Sequence, residues 1–168
     1  MLARTKLIKL EKGKAGTRQT LRLMSQLVKA GKKNMLVRQL ALRLIDGKKQ
    51  KDRAGEIKKI HAFVRDRIRY VRDIRGVETI HSAQRILKQR QGDCDDKSIL
   101  LASLLESIGH ATRFVAVGFK PGVFHHVLVQ TTAPGRWNSP KWLNLETTEP
   151  VKPGWKPANV VSRMVVHN

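Results

Sequence analysis

The chain reads as an α+β protein in which helices come first and an antiparallel sheet follows. Two observations predict this. Apolar residues recur at helical spacing as far as Ile108. From Thr112 onward, short β-branched and aromatic segments take over, separated by turns marked with Pro and Gly. Strands joined by such turns pair with their neighbours, so the sheet is expected to be antiparallel.

Met1 to Gly16 is rich in lysine, without a clean period, and is expected to be a mobile arm. Leu21, Met24, Leu27 and Val28 then mark a first helix, with Thr17 as its N-cap. Ala30-Gly31-Lys32-Lys33-Asn34 stops it. Met35, Leu36, Leu40, Leu44 and Ile45 form a second amphipathic pattern ending near Asp46-Gly47. The cluster from Lys48 to Arg53 is polar and expected to be exposed. Ile57, Ile60, Val64, Ile68 and Val71 step by 3, 4, 4 and 3, which keeps them on one helical face. Lys58, Lys59, Arg65, Arg69 and Arg72 share the other face. Glu78 to Arg90 predicts a short fourth helix with Ile80, Ala83, Ile86 and Leu87 inward. A fifth begins at the turn around Cys94 and runs to about Ile108, closed by Gly109 as the C′ residue.

Thr112 to Phe119 is the first expected strand, and Lys120-Pro121-Gly122 the turn that follows. His126 to Gln130 is the second. Ala133-Pro134-Gly135 and Asn138-Ser139-Pro140 bracket an exposed loop, and Trp142 to Glu146 is the third strand. Pro150, Pro153 and Pro157 make the next stretch irregular, and Val160 to Val166 is the last strand.

Charge is the outlying property of the composition. The 168 residues hold 34 Lys plus Arg against 13 Asp plus Glu, a net charge of +21. Residues 1–60 carry 18 basic and 4 acidic side chains; residues 61–168 carry the remaining 16 and 9. The first aromatic residue is Phe63. The chain therefore divides into a basic, aromatic-free helical arm over residues 1–56 and a domain of more usual globular composition over residues 57–168. Such a charge binds polyanions with strong salt dependence, whereas base-specific reading of nucleic acid has no motif to support it. One cysteine excludes an intramolecular disulfide and fits a reducing compartment. No run approaches the roughly 18 apolar residues of a membrane span, and the N-terminus lacks the features of a secretory signal. A soluble cytoplasmic protein is the expectation.

That single cysteine stands in Gln91-Gly92-Asp93-Cys94-Asp95-Asp96-Lys97-Ser98, immediately before an apolar helix. The first turn of a helix offers unpaired N–H groups and the positive end of the macrodipole, both of which favour a thiolate. Thiol catalysis also needs an imidazole within hydrogen-bond reach and a third group to fix its tautomer. His126, 32 residues on at a strand entrance, and a polar residue near the end of the next strand could converge on Cys94. His125 and His126 point to opposite faces of a strand, so only one can serve. Asp93, Asp95 and Asp96 suit a helix N-terminus but oppose a thiolate; Asp95 and Asp96 read as capping or structural groups. His61, His81, His110 and His167 have no partner that the sequence names and read as surface or packing residues. The paired ligand spacings of zinc sites are missing, so neither a metal nor a cofactor is expected.

Four pieces in order carry a resemblance. They are Ile60-His61-Ala62-Phe63-Val64-Arg65-Asp66-Arg67-Ile68-Arg69-Tyr70, the Gln91–Lys97 stretch with its helix and Gly109-His110-Ala111-Thr112-Arg113-Phe114-Val115, His125-His126-Val127-Leu128-Val129, and Trp142-Leu143-Asn144-Leu145-Glu146-Thr147-Thr148. Together they resemble the transglutaminase-like superfamily, whose fold is papain-like. The resemblance implies Cys94 as nucleophile, His126 as general base and acid, and an orienting carboxylate at Glu146. The family usually has Asp there, and the extra methylene of Glu would displace the carboxylate by about 1.5 Å. Asn144, two residues earlier on the same strand face, is the alternative third member. Leu128 stands where the family commonly has an aromatic residue, in the expected acyl-binding wall. The remaining walls are expected from the loops around Gly118–Phe124 and Thr131–Trp142, and a side-chain oxyanion donor from the Gln84–Gln91 region.

The function these readings imply is a thiol enzyme acting on amide bonds of a peptide or protein substrate, either a cysteine peptidase or amidase or a transglutaminase-type acyl transferase. The alternative is a structural or assembly protein on the same scaffold, its basic arm contacting nucleic acid or neighbouring virion subunits. Compact, very basic versions of the scaffold resemble bacteriophage proteins, which would make the protein virion-associated.

Overall fold

The most apolar stretch of the sequence sits at the centre of the molecule. In the computed structural model, which describes residues 8–47, 52–74, 79–132 and 141–168, the apolar residues after Cys94 form a helix buried on all sides. Ile99, Leu100, Leu101, Ala102, Leu104 and Leu105 are fully buried, which is the rule for a helix that is apolar all round. Each such leucine or isoleucine contributes about 1.5–3 kcal/mol by leaving water.

Among the described residues the order is α1 (Gly13–Gly31), α2 (Met35–Ile45), α3 (Arg53–Arg67), β1 (Arg69–Tyr70), α4 (Ala83–Gln89), β2 (Gln91–Gly92), α5 (Cys94–Ser107), β3 (Thr112–Gly118), β4 (His126–Thr132), β5 (Trp142–Leu145) and β6 (Ser162–His167). The main sheet is antiparallel with strand order β5-β4-β3-β6. One face of it packs Phe114, Ala116, Val127, Val129 and Leu145 into the helical core; Val115, Val117 and Leu128 cluster separately on the other. This is the α+β arrangement expected from the order of helical and strand patterns. None of the described helices is long and apolar enough to cross a membrane.

The basic N-terminal helices share this core. Leu21, Met24 and Val28 of α1 and Val37 and Ala41 of α2 are buried in it, while Lys14, Arg18, Arg22, Lys29, Arg38 and Arg43 remain exposed. Gly31 lets α1 approach α5 closely, since a Cβ there would lie 2.5 Å from Ser103 Oγ. Residue 56, the expected end of the basic arm, falls inside α3.

Several boundaries differ from expectation, each for a local reason. Helix α1 starts at Gly13, so residues 13–16 are helical and Thr17 lies inside the helix, its hydroxyl donating to the Gly13 carbonyl. The preceding segment folds back on the helix, where Gln19 accepts from Glu11 N–H and donates to the Lys9 carbonyl. Residues 1–7 of the expected mobile arm lie outside the described residues, as do residues 48–51 of the polar cluster and residues 133–140 of the expected exposed loop. Helix α3 ends at Arg67 rather than continuing to Val71: Arg69 and Tyr70 leave it to pair in parallel with Gln91 and Gly92. Helix α4 begins at Ala83 under a Ser82 cap, leaving Ile80 outside it; residue 78, its expected start, is not among the described residues.

Lys97 caps the end of α3 from inside the protein, its Nζ donating to the carbonyls of Ile68 (2.7 Å) and Arg65 (3.2 Å). Burial lowers this ammonium from 10.5 to about 8. A cation whose pKa is lower folded than unfolded costs stability while it is charged, and the cost fades as pH rises through 8 towards 10.5. The unfolding free energy of the wild type relative to Lys97→Met is therefore expected to rise by roughly 3 kcal/mol between pH 7 and 10.5 in urea titrations. A difference that stays constant over that range would contradict a buried, charged lysine.

Candidate active site

Helix α5 begins with the sequence's only cysteine. Asp93 is the N-cap, its carboxylate accepting from Asp96 N–H at 3.0 Å, and Cys94 is the first helical residue. Gly92 is required just upstream because a Cβ there would meet Asp96 Cβ at 2.4 Å. Asp96 is itself engaged, accepting from the His81 backbone (2.9 Å) and pairing with its Nδ1 (2.8 Å). The segment before the thiol is thus fixed by its own acidic residues. Asp93 is thus the cap, and Asp96 takes the structural role that the sequence allowed it.

His126 is the first residue of β4, and Glu146 is the first residue beyond β5. The two strands are neighbours, with Val129 opposite Leu145. His126 Nε2 and Glu146 Oε2 are 2.5 Å apart. Glu146 is 2% exposed, and its other carboxylate oxygen accepts from Thr148 N–H (2.7 Å) and Thr148 Oγ1 (2.8 Å). Burial pushes the Glu146 carboxyl up, but the His126 bond and the Thr148 donors outweigh it and leave the pKa below the usual range. An ionised carboxylate only accepts, so Nε2 of His126 carries the shared proton, and in the neutral ring it is Nδ1 that holds the lone pair.

Cys94 and His126 line one cavity of about 420 Å³, and the backbone N–H of Val127, the next residue, favours the ionised form of the Cys94 sulfur. Burial pushes the thiol pKa up, and the carboxylates of Asp95 and Asp93 push it further. The thiol also donates to Asp95 Oδ1 at 3.5 Å. The acidic neighbours thus oppose ionisation of the thiol, as the sequence suggested. Burial raises Asp93 itself to about 6.

The structure thus brings His126 and Glu146 into contact and sets Cys94 and His126 around one cavity. It places Asn144 elsewhere: this amide accepts from Gln130 Nε2 (2.6 Å) and donates to the Trp155 carbonyl (3.1 Å). Leu128, expected in the acyl-binding wall, packs with Val115 and Val117 on the far face of the sheet. Among the described residues, none from Gln84 to Gln91 lines the cavity, so the side-chain oxyanion donor expected there is not found, and Gln91 bonds Arg69 instead at 2.7 Å. Of the two expected loops, the first supplies Gly122, Val123 and Phe124 to the cavity, while residues 133–140 of the second lie outside the described residues and its described residues do not line it. One wall that sequence reasoning did not name comes from the start of α1 and its lead-in, where Leu10, Glu11, Gly13 and Gly16 line the same cavity as Cys94.

Two buried histidines also proved to have partners. His61 Nε2 bonds the Glu146 carbonyl, and His110 Nε2 bonds Glu56 at 2.6 Å. No sequence signal pairs them, because their partners lie 85 and 54 residues away. Among the described residues, no group of three or more His, Cys, Asp or Glu side chains could hold a metal ion.

A profile of the transglutaminase-like superfamily core matches residues 38–146, which include Cys94, His126 and Glu146. No curated protein matches the chain. Among solved structures it is similar to a candidate protease from Parabacteroides distasonis (16% identity, TM-score 0.59, covering 77% of this chain and 26% of that one). It is similar also to a candidate cysteine protease from Cytophaga hutchinsonii (18% identity, TM-score 0.52, 79% and 46% covered). A third similarity is to EGTA-treated LapG of Legionella pneumophila (18% identity, TM-score 0.51, 75% and 71% covered). These likenesses concern the fold, and the chain spans about a quarter and about half the length of the first two.

Proposed function

The chain belongs to the transglutaminase-like superfamily, and on that premise we propose that it is a cysteine-dependent acyl enzyme acting on amide bonds through Cys94, His126 and Glu146. The observation that carries this reading is the short His126–Glu146 contact at the rim of a cavity that also holds Cys94. The carboxylate fixes the tautomer in which Nδ1 of His126 is free to act as a base. As Cys94 Sγ attacks the carbonyl carbon, Nδ1 takes the thiol proton. It then gives that proton to the leaving amine as the C–N bond breaks, and the acyl group remains on sulfur as a thioester. Burial and the carboxylates of Asp95 and Asp93 work against the thiolate, so His126 is required as the base that takes the thiol proton. The backbone N–H of Cys94, at the head of α5, is the proposed oxyanion donor. Water resolves the thioester to an acid and an amine to a new amide; the second outcome is transglutaminase-type transfer.

Acyl trapping tests the proposal. The protein is incubated with a peptide amide library, quenched in acid and analysed by mass spectrometry, with and without hydroxylamine. An acyl adduct on the peptide that contains Cys94 is expected, converted to free hydroxamate when hydroxylamine is present. An absence of any adduct across the library would count against the assignment.

A second reading, in which the protein contacts a polyanion or assembles with nucleic acid and other subunits, is favoured by one observation. Lysine and arginine residues of α1, α2 and α3 project into solvent while the apolar faces of those helices are buried. Binding to DNA of random sequence is then expected to weaken about 10³-fold or more between 50 and 200 mM salt if six or more phosphates are contacted. Salt-insensitive binding, measured by anisotropy, would exclude that electrostatic mode.

A further inference from the structure

We propose that His61 is a positioning residue for the catalytic carboxylate, holding the main chain of Glu146 where a glutamate can serve in place of an aspartate. The inference rests on the assignment of Cys94, His126 and Glu146 above. Glu146 lies one residue past the last ladder pair of β5, so the sheet does not hold its peptide. Its carbonyl instead accepts from His61 Nε2, carried on α3. The carboxylate is then divided between two tasks: Oε1 takes both Thr148 donors and Oε2 takes His126. A side chain one methylene longer than aspartate reaches too far by about 1.5 Å unless its backbone is set back. A fixed anchor on that carbonyl provides the setback.

His61 is suited to this task and to little else at its position. It stands among Ile57, Ile60 and Val64 on the buried face of α3 and is 0% exposed. Burial lowers its pKa, so the ring is neutral and carries the single N–H that Nε2 donates. Nδ1 is left without a partner among the described residues. An unpaired buried nitrogen is a cost that an apolar residue would avoid, so the ring is there for its other nitrogen. The same helix is tied to the thiol's helix: Lys97, three residues after Cys94, bonds the carbonyls at the end of α3. Helix α3 thereby links the element that bears the thiol to the strand end that bears the carboxylate.

The test uses the single thiol as its own reporter. The rate of Cys94 alkylation by iodoacetamide is followed from pH 5 to 10 in the full chain and in His61→Leu, His61→Gln and His126→Ala, with circular dichroism to confirm folding. In the wild type, His126-assisted ionisation gives alkylation near neutral pH, whereas His126→Ala leaves only a rise at high pH. His61→Leu is expected to lose about tenfold in rate at pH 7 and to move toward the His126→Ala profile. His61→Gln, whose amide can still donate to the Glu146 carbonyl, should stay within about threefold of wild type. A folded His61→Leu with the wild-type profile overturns the inference. If His61→Leu does not fold, His61→Asn replaces it: its shorter amide cannot reach the carbonyl, and a profile equal to that of His61→Gln overturns the inference. If instead His126→Ala matches wild type, the underlying assignment fails, which separates the two outcomes.

Discussion

Replacing Cys94 by alanine is expected to abolish covalent labelling and to lower acyl turnover by at least about 10³-fold. The chain has no second thiol, so the stoichiometry of an electrophilic probe should fall from one to zero. Stability should change little, because alanine favours the first turn of a helix and Asp93 still caps α5. Thermal melts of the two proteins should therefore nearly coincide while labelling differs completely. Burial, Asp95 and Asp93 all raise the thiol pKa. Removing the nearest charge with Asp95→Asn should thus lower it and speed iodoacetamide alkylation at pH 8 by a few-fold. Turnover that survives in Cys94→Ala would remove the thiol from the mechanism.

Glu146→Gln is expected to lower turnover by about 10² to 10⁴-fold with the fold retained. The amide keeps the volume of the side chain but can donate to His126, which reverses the imidazole tautomer and leaves Nδ1 protonated and useless as a base. Glu146→Asp keeps the charge but falls about 1.5 Å short, so a smaller loss of roughly 10- to 100-fold is expected. Glu146→Ala should in addition destabilise the protein by about 1–3 kcal/mol, because the Thr148 donors beneath it lose their acceptor. The net pKa of Glu146 is depressed in the folded state. Its contribution to stability is therefore present above the unfolded carboxylate pKa and lost as pH falls through the folded one. The difference between wild type and Glu146→Gln in urea titrations should accordingly shrink in acid. Full activity in Glu146→Gln would return the third role to another group.

Local patterns carried the sequence reading as far as local physics reaches. The apolar run after Cys94 gives a buried helix wherever it is placed, and the β-branched segments from Thr112 give strands. Where the reading missed, a distant group had intervened. Ile68 and Val71 fit the face of α3, but Gln91 and Gly92 draw Arg69 and Tyr70 into a strand pair. Thr17 is a good N-cap by composition, yet Gln19 anchors the lead-in and starts α1 at Gly13 instead. Leu128 has the right offset from His126 for the cavity wall, but the sheet turns it to the far face.

The same division holds at the candidate site. The sequence by itself determined which residues could do thiol chemistry: one cysteine at a helix start, a histidine opening a strand, and a carboxylate closing the next. Residue type and position on a helix start or strand end nominate such groups, because caps and strand alternation are local, while the choice of His126 and of a carboxylate at 146 rested on the resemblance to the transglutaminase-like superfamily. Only the tertiary structure decided between Glu146 and Asn144 as the partner of His126, since both lie on one strand face and the choice depends on what Gln130 and Trp155 offer the amide. Only the tertiary structure brought α1 to the cavity and His61 to the Glu146 carbonyl. Those contacts join residues far apart in the chain, and their geometry is set by how helices and sheet pack, which no local pattern encodes.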